Sequence, residues 1–514
     1  RYFSEEANYI YGGNTNQVTG TAFSKAFIVT IANTQGIVTF SDTLTMNYLI
    51  IEANAKANLN TYTHTAGALV LPEGSYGTGT WGSTTSSASN KTNVYFDSTA
   101  TGIVLLTNQV SDVYSITSTF TTCPTDSPFV AIIETWGAGG RGSTRTTNGA
   151  GGGGGGGAYS RDTITLNPGI TYTISVGVGS SGTSAGGDSW FGTTSNVASA
   201  LVLAKGGNSA ANNSETGASG GAAAGGIGAV RYSGGSGATG IYSSPNASGG
   251  GGSSAGINAN GNTPILTGST DGVPNRTIGA IAPEGGGNGG NAKFSNSGPG
   301  NPGSTPGGGG GGSYRNSSGN VTGGNGANGK VRLLHLPIIP SITLGSNPSI
   351  CRGDTFASLP YSATTGCPNL YRINYDAAAN SAGFVDVAFT SLPADSIPIV
   401  IPSSVPAGIY HAYLIIKKDV DGFPSSSLIT IKVNDPSFTS QAHEVSCYGD
   451  SDGSISITIT SMDNGPYTFS INNGTTYGAS FTGSYPNFEI INLNANIYKI
   501  RIKDQSGCVT PSCP

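Results

Sequence analysis

Seven consecutive glycines at 151–157 and six more at 307–312 constrain this chain more than any other feature. Holding such a run extended costs about 0.5–1 kcal/mol per residue relative to alanine, because glycine has the most backbone freedom to lose. Either the runs are slack tethers, as composition alone would suggest, or the missing side chains are themselves what stabilises them. Two details favour the second reading. Each run ends in a small residue followed by Tyr159 or Tyr314, and strand-like stretches such as "ITYTISVGVG" and "SALVLAKGG" lie between the runs. A Gly/Ser tether is not punctuated in this way. Backbones without Cβ atoms can lie flank to flank and satisfy one another's N–H and C=O groups, with small increments from Cα–H···O contacts. The expectation is a core of packed, extended or polyproline-II-like glycine strands.

Elsewhere Val, Ile, Thr and Tyr alternate with Ser and Asn in short runs broken by Gly and Pro, which is the strand signature. The expected fold class is therefore all-β, a multi-domain string of β-sandwich-like modules with a glycine-rich domain among them. Composition shifts divide it into 1–121, a β-rich domain that fits a sandwich or a solenoid-like stack equally well; 122–336, the glycine-rich domain; 337–435, with strands at sandwich-like spacing; and 436–514, a last small module.

Several function classes fall away. Only 10% of residues are charged, the formal net charge is -5, and no Lys/Arg stripe could track phosphates, so nucleic acid is not an expected partner. No apolar run reaches the length of a membrane span. The opening "RYFSEEANYI" lacks an initiating Met and a signal-peptide pattern, which points to a processed or excised portion of a longer chain. The histidines at 64, 335, 411 and 443 sit in no zinc-type motif. "GVGSSG" at 177–182 follows a strand but is followed by nothing that could open a helix, so it makes no phosphate site. "GASGG" and "GSSAG" fit a hydrolase elbow, and "CRGD" an integrin ligand, only as chance allows in so glycine-rich a chain. No catalytic residue is expected.

Six cysteines, at 123, 351, 367, 447, 508 and 513, form no CxxC pair, and their sparse spacing points to an oxidising, extracellular setting. Cys351 and Cys367 flank what reads as one hairpin; a bridge there would be worth about 3 kcal/mol.

Three stretches carry resemblances. "ETWGAGGRG", the first glycine run, "YTISVGVGSSGTSAGGDSWFG" and "GANGKVRL" are similar to glycine-rich domains of bacterial surface proteins and phage fibre tips, which implies a rigid bundle whose loops touch a target. Residues 337–435 look like the Ig-like modules of large secreted Bacteroidetes proteins. "SCYGDSDGSISITI", "NGPYTFSINNG" and "NANIYKIRIKDQSGC" resemble, in order, the repeat of SprB-type gliding-motility adhesins. That resemblance rests on Cys447, Asp452, Gly453, Ser454, Ile455, Pro466, Tyr467, Phe469, Tyr498, Asp504, Gly507 and Cys508. It departs at Asn496, where glycine is usual; Asn tolerates left-handed angles, so the turn is expected to survive. The resemblance implies a Cys447–Cys508 pair, which would leave Cys123 and Cys513 without partners. It also implies export across the outer membrane by type IX secretion.

The functional expectation is a non-enzymatic segment of a large secreted cell-surface adhesin, mediating attachment and gliding. Its partners would be a surface polysaccharide or other external surface and further modules of the same chain. Trp190, Tyr232 and Tyr242 are the candidate ligand contacts, weighed against burial between glycine sheets. The alternatives are a structural subunit or stalk of a self-associating extracellular filament, and a secreted hydrolase with accessory modules. No cofactor is expected beyond a calcium site at Asp450, Asp452 and Asp504, drawn together if Cys447 and Cys508 pair, with "DVDG" at Asp419 and Asp421 a second grouping; turn formation is the competing explanation. Thr43, Ser98, Thr163 and Ser396 each follow an Asp, in a pattern resembling the Bacteroidetes O-glycosylation acceptor.

Overall fold

The first strands stack because their apolar pattern repeats at a nearly constant interval. In the computed structural model, which describes all residues except 1–7, 22–23, 53, 73, 108, 244–245, 267, 271–272, 337, 419–423, 462–464 and 511–514, these are β1 (Asn8–Tyr11), β2 (Gln17–Val18), β3 (Lys25–Ile31), β4 (Ile37–Thr39), β5 (Thr45–Ile51), β6 (Lys56–Asn58) and β7 (Thr63–Leu71). Asn8 pairs with Ile28 and Ile28 with Tyr48, all parallel, so successive rungs lie twenty residues apart. The sheet β2-β4-β6 is parallel as well. The open choice for this segment is thus settled in favour of a short solenoid. Val29, Ile31, Val38, Phe40, Leu49 and Ile51 fill it. At a corner, buried Asn33 donates to the Thr15 carbonyl and the Gln17 side chain and accepts from the Gly36 N–H.

His64, wholly buried on β7, accepts from the Leu44 N–H through Nδ1, which leaves Nε2 to donate to the Leu59 carbonyl. Burial lowers its pKa below the ordinary 6.5, opposed in smaller measure by the Leu59 carbonyl and Asp42. The unfolded chain then takes up this proton more readily than the folded one. Stability present above about pH 6.5 is therefore lost as pH falls through and below that value. Protection factors in β5, that is, exchange rates divided by the intrinsic rate at each pH, should fall at pH 5 relative to pH 7.5, and His64→Gln should flatten that dependence while weakening the solenoid at neutral pH. An unchanged slope in the variant would assign the effect to other groups.

The chain forms two compact units, residues 1–69 with 76–337 and residues 70–75 with 338–514. Within the first, the glycine-rich domain begins as a sandwich. One sheet orders Val110–Tyr114, Lys330–His335, Phe129–Trp136, Tyr159–Leu166 and Val230–Tyr232; the other orders Ser118–Thr121, Thr171–Ser175, Ser189–Gly192 and Ala200–Ala204. Two of these strands precede residue 122, so the domain starts earlier than the composition shift indicates, because those strands have ordinary composition. Ile133, Leu166, Tyr172, Ile174, Phe191, Val202 and Leu333 make the core.

From this sandwich the strands run on as glycine chains. Along 151–158 every N–H is bonded, to Ser313, Ser214, Ala238, Gly310, Asn208, Gly235, Gly307 and Lys205 carbonyls in turn. The partners rotate through three neighbouring segments with a period of three, which is the period of polyproline II. Every carbonyl from Gly151 to Ala158 also accepts, from three further segments within 137–143, 218–221 and 249–255. Six chains therefore surround this one. The second run is built alike: Gly309 and Gly312 donate to Gly252 and Gly249, Gly310 and Ser313 to Gly140 and Ser143, Gly308 and Gly311 to Ser304 and Asn301. A Cβ at any of Gly152–Gly157 would lie 1.9–2.2 Å from a neighbouring carbonyl oxygen. Only glycine permits the spacing, and the full set of hydrogen bonds offsets its entropic cost.

Trp136 and Tyr159 pack with Ala255 where sandwich meets bundle. Tyr159 donates to Glu134 at 2.5 Å, and Glu134 pairs with Arg332. Burial, then the bond to Glu134, raises the Tyr159 pKa far above its usual value.

In the second unit, residues 341–434 form a two-sheet sandwich. Ser341–Leu344, Phe356–Thr365 and Ser396–Val400 make one sheet; Ser349–Cys351, Pro424–Asn434, Gly408–Lys417, Leu370–Tyr375 and Val387–Ser391 make the other. Leu359, Ile373, Ile397, Leu414, Ile429 and Ile431 lie between them, and Tyr410 donates to the Pro406 carbonyl four residues upstream, as in a tyrosine corner. The last module pairs Phe438–His443, Gly453–Ile459, Asn487–Leu493 and Phe481–Ser484 in a sheet over Thr468–Ser470 and Arg501–Lys503. Ile457, Phe469, Ile490 and Ile502 are its centre.

The cysteine pairing differs from both expectations. Cys351 is bonded to Cys508, with Cα atoms 5.2 Å apart. Cys351 and Cys367 flank one ten-residue strand, Phe356–Thr365, and not a hairpin, which separates them by roughly 30 Å. Cys447 is an exposed free thiol, so it does not pair with Cys508. Cys123 and Cys367 are each disulfide-bonded, so Cys123 is not left over; Cys513 lies outside the described residues. Asn496 lies outside the left-handed region, which Asn492 enters instead (φ 62°).

Candidate contact surface at the far end of the glycine bundle

The chain leaves the sandwich at Trp136 and re-enters it at Tyr159, so the turn between them must lie at the opposite end of the bundle. The same holds for the loops around 211–216, 239–243, 293–298 and 314–321. This end is held firmly. Asn213, in the left-handed region (φ 58°), accepts from the N–H groups of Thr146 and Thr147 and donates to the Thr146 hydroxyl. Arg145, 5% exposed, donates to the Asn148 carbonyl at 3.0 Å. Its guanidinium occupies the space a Cβ at Gly149 would need, and burial lowers its pKa. Arg315 holds the Gly319 carbonyl and the Asn148 side chain, and Arg276 holds the Leu266 and Thr239 carbonyls. Through these bonds the arginines brace the rim, with Nε and Nη1 of Arg145 buried and without a hydrogen-bond partner among the described residues.

Tyr242 stands on this rim, 42% exposed, beside the buried Tyr314 ring at 6.0 Å. The other two aromatic candidates are elsewhere. Trp190 is 6% exposed within the four-stranded sheet, so it is no surface contact; its neighbour Phe191 takes the core between the sheets, and alternation leaves Trp190 buried on the other face of the strand. Tyr232 stacks at 18° on Tyr159 near the sandwich and is half-buried. The structure therefore does not gather the three, and the bracing arginines went unread because neither their near partners, Asn148 for Arg145 and Gly319 for Arg315, nor their distant ones, Thr239 for Arg276 and Asn148 for Arg315, form a motif.

Among the described residues no group of three His, Cys, Asp or Glu is placed to hold a metal ion. Asp452 accepts from the Ser446 N–H and hydroxyl, which keeps its carboxyl below the usual range. Asp504 accepts from the Cys508 N–H at 2.8 Å. Asp450 lies on an exposed turn. Asp419 and Asp421 lie outside the described residues. Thr43, Ser98 and Thr163 are exposed and Ser396 half-buried. No helix among the described residues is long and apolar enough to cross a membrane.

Comparison with known families bears on two segments. A family described as a glycine-rich domain matches residues 115–334, and the SprB repeat matches residues 439–476. The chain carries a glycine-rich domain and a SprB repeat. Together they are consistent with a SprB-type adhesin, and the SprB repeat points to a cell-surface protein made of many modules. The match starting at 115 takes in Ser118–Thr121, the second of the two early strands of the sandwich. No curated protein matches the chain. Solved structures similar to it include a chimeric titin Z1Z2 carrying a KLER peptide from decorin, at 13% identity over 33% of this chain and 92% of that one, TM-score 0.17. Titin domains z1z2 in complex with telethonin follow at 11% identity over 33% and 91%, TM-score 0.14. The SprB repeat contributes Tyr467 and Phe469 to the core of the last module.

Proposed function

We propose that the chain is a non-enzymatic segment of a large secreted adhesin that mediates attachment and gliding, and that it touches its target through the far-end loops of the glycine-rich domain. The observation that carries this reading is the braced rim: a bundle with no side chains to loosen it presents Tyr242 on loops pinned by buried or half-buried arginines. A stiff display loses little entropy on contact, so each weak contact retains more of its strength. Many copies along a long chain would then add up. A polysaccharide suits an exposed tyrosine face, which can pack on a sugar ring. Calcium at Asp450, and glycans on Thr43, Ser98, Thr163 and Ser396, remain parts of this proposal.

Attachment of the purified chain to polysaccharide-coated and bare glass tests it. Tyr242→Ala should lower retention about tenfold, the usual scale for losing a central aromatic contact, with no change in melting. Retention equal to the unaltered chain would move the contact away from this rim.

A further inference from the structure

We propose that the cleft between the solenoid and the outer face of the five-stranded sheet binds an acidic sugar, one whose residues each carry a single carboxylate or sulfate. The cleft has a volume of about 530 Å³, within the range of small-molecule sites. Strand alternation builds one wall. Ala131 and Ile133 point into the sandwich core, so Glu134 and Trp136 lie on the opposite face. Arg332 and Lys330 stand beside them in register. Lys25, at the start of β3, and Asn47, on β5, belong to the facing wall. Two hydrogen bonds join the walls: the Asn47 side chain donates to the Ser111 carbonyl at 2.9 Å and accepts from the Ser111 N–H at 3.2 Å. Ser111 lies on Val110–Tyr114, where Val113 pairs with Arg332, so the solenoid is fixed to the sheet at the cleft itself.

Two observations point to the ligand. The first is charge. Lys25, Lys330 and Arg332 line the cleft with Glu284; Glu134, held by Arg332 and by the Tyr159 hydroxyl, brings the balance to three cations and two acids. A surplus of positive charge between protein walls favours one anionic group. The second is an unpaired donor. Trp136 is 1% exposed, and its Nε1–H has no hydrogen-bond partner among the described residues. Lys330 and Arg332 lie 5.5 and 5.7 Å over its ring. The edge that carries the nitrogen is turned to Gly285, since Cζ2, on that same edge, would lie 3.6 Å from a Cβ there. A buried donor left unpaired is costly, and a ligand oxygen admitted past the bare backbone of Gly285 satisfies it. The lining is more polar than apolar, which suits a ring bearing hydroxyls better than an apolar side chain. The site lies at the sandwich end of the domain, so binding here does not rest on Tyr242 and the far-end rim.

Titration of the full chain, with nitrogen-15 at the indoles of its three tryptophans, tests it. Digalacturonate should move the Trp136 N–H signal, assigned through single Trp→Phe replacements, until it saturates. Neutral galactobiose should bind at least about tenfold more weakly, for want of a charge-assisted bond. Lys330→Gln should cost digalacturonate about tenfold in affinity. Lys25→Gln, exposed on the other wall, should act in the same direction, and it carries the test if the first variant melts early. Salt near 1 M, where the screening length falls to about 3 Å, should weaken digalacturonate and spare galactobiose. A sulfated galactobiose that bound more tightly than digalacturonate would assign the charge to sulfate at the same site. An unmoved Trp136 signal, equal affinity for the neutral sugar, unchanged affinity in both lysine variants, or tighter binding of an acidic tetrapeptide would overturn the proposal. Attachment that survived Tyr242→Ala would leave all of these readings as they stand.

Discussion

Gly155→Ala should prevent the glycine-rich domain from folding. An added Cβ would stand 2.1 Å from the Ser219 carbonyl oxygen and 2.5 Å from its carbon. Neither can retreat, because Gly155 also donates to Asn208 and accepts from Gly140, and its six neighbours are locked by bonds of their own. Overpacking in ordinary cores costs about 1–3 kcal/mol because side chains rotate aside. Here only backbone could move, and each shift would break hydrogen bonds worth about 1 kcal/mol apiece. A loss above about 4 kcal/mol follows, in the range reserved for severe core lesions. Thermal unfolding and amide exchange across 137–158 would read it. Gly182→Ala is the matched control, since a Cβ there meets nothing within 4 Å, and it should be neutral or slightly stabilising. Equal tolerance of both changes would mean that the runs are not packed against one another.

Cys508→Ser should destabilise the second unit by roughly 3–5 kcal/mol, because the bridge closes a very long loop in the unfolded chain. The loop spans 157 residues, and Cys508 is 1% exposed, so the serine hydroxyl would also be buried against the Cys351 thiol. Cys447→Ser, at an exposed free thiol, should change nothing. Urea unfolding under non-reducing conditions separates the two. If the Cys447 variant fell as far as the Cys508 variant, the pairing would be Cys447–Cys508 after all.

These two outcomes mark where sequence reasoning reaches and where it stops. The all-β class, the glycine-rich domain with its flanking Tyr159 and Tyr314, and the SprB repeat were legible because each rests on local pattern: alternation, composition, or a short ordered motif. That the glycines form a packed core also followed, since only close backbone approach could offset their entropy. Which chains lie against which did not follow. Gly154 bonds Gly310, and Gly155 bonds Asn208; a strand without side chains carries no local mark of its six neighbours. The twenty-residue rung of the solenoid hid behind rungs whose strands and turns vary in length. Trp190 gave no sign of being buried, because both faces of its four-residue strand are covered and alternation alone marks only one. Cys351 met Cys508 because tertiary folding brought entry and exit together, whereas spacing alone favoured nearer partners. Local preferences are written residue by residue, but the pairing of distant segments depends on the summed contacts of the whole fold, and that sum exists only in three dimensions.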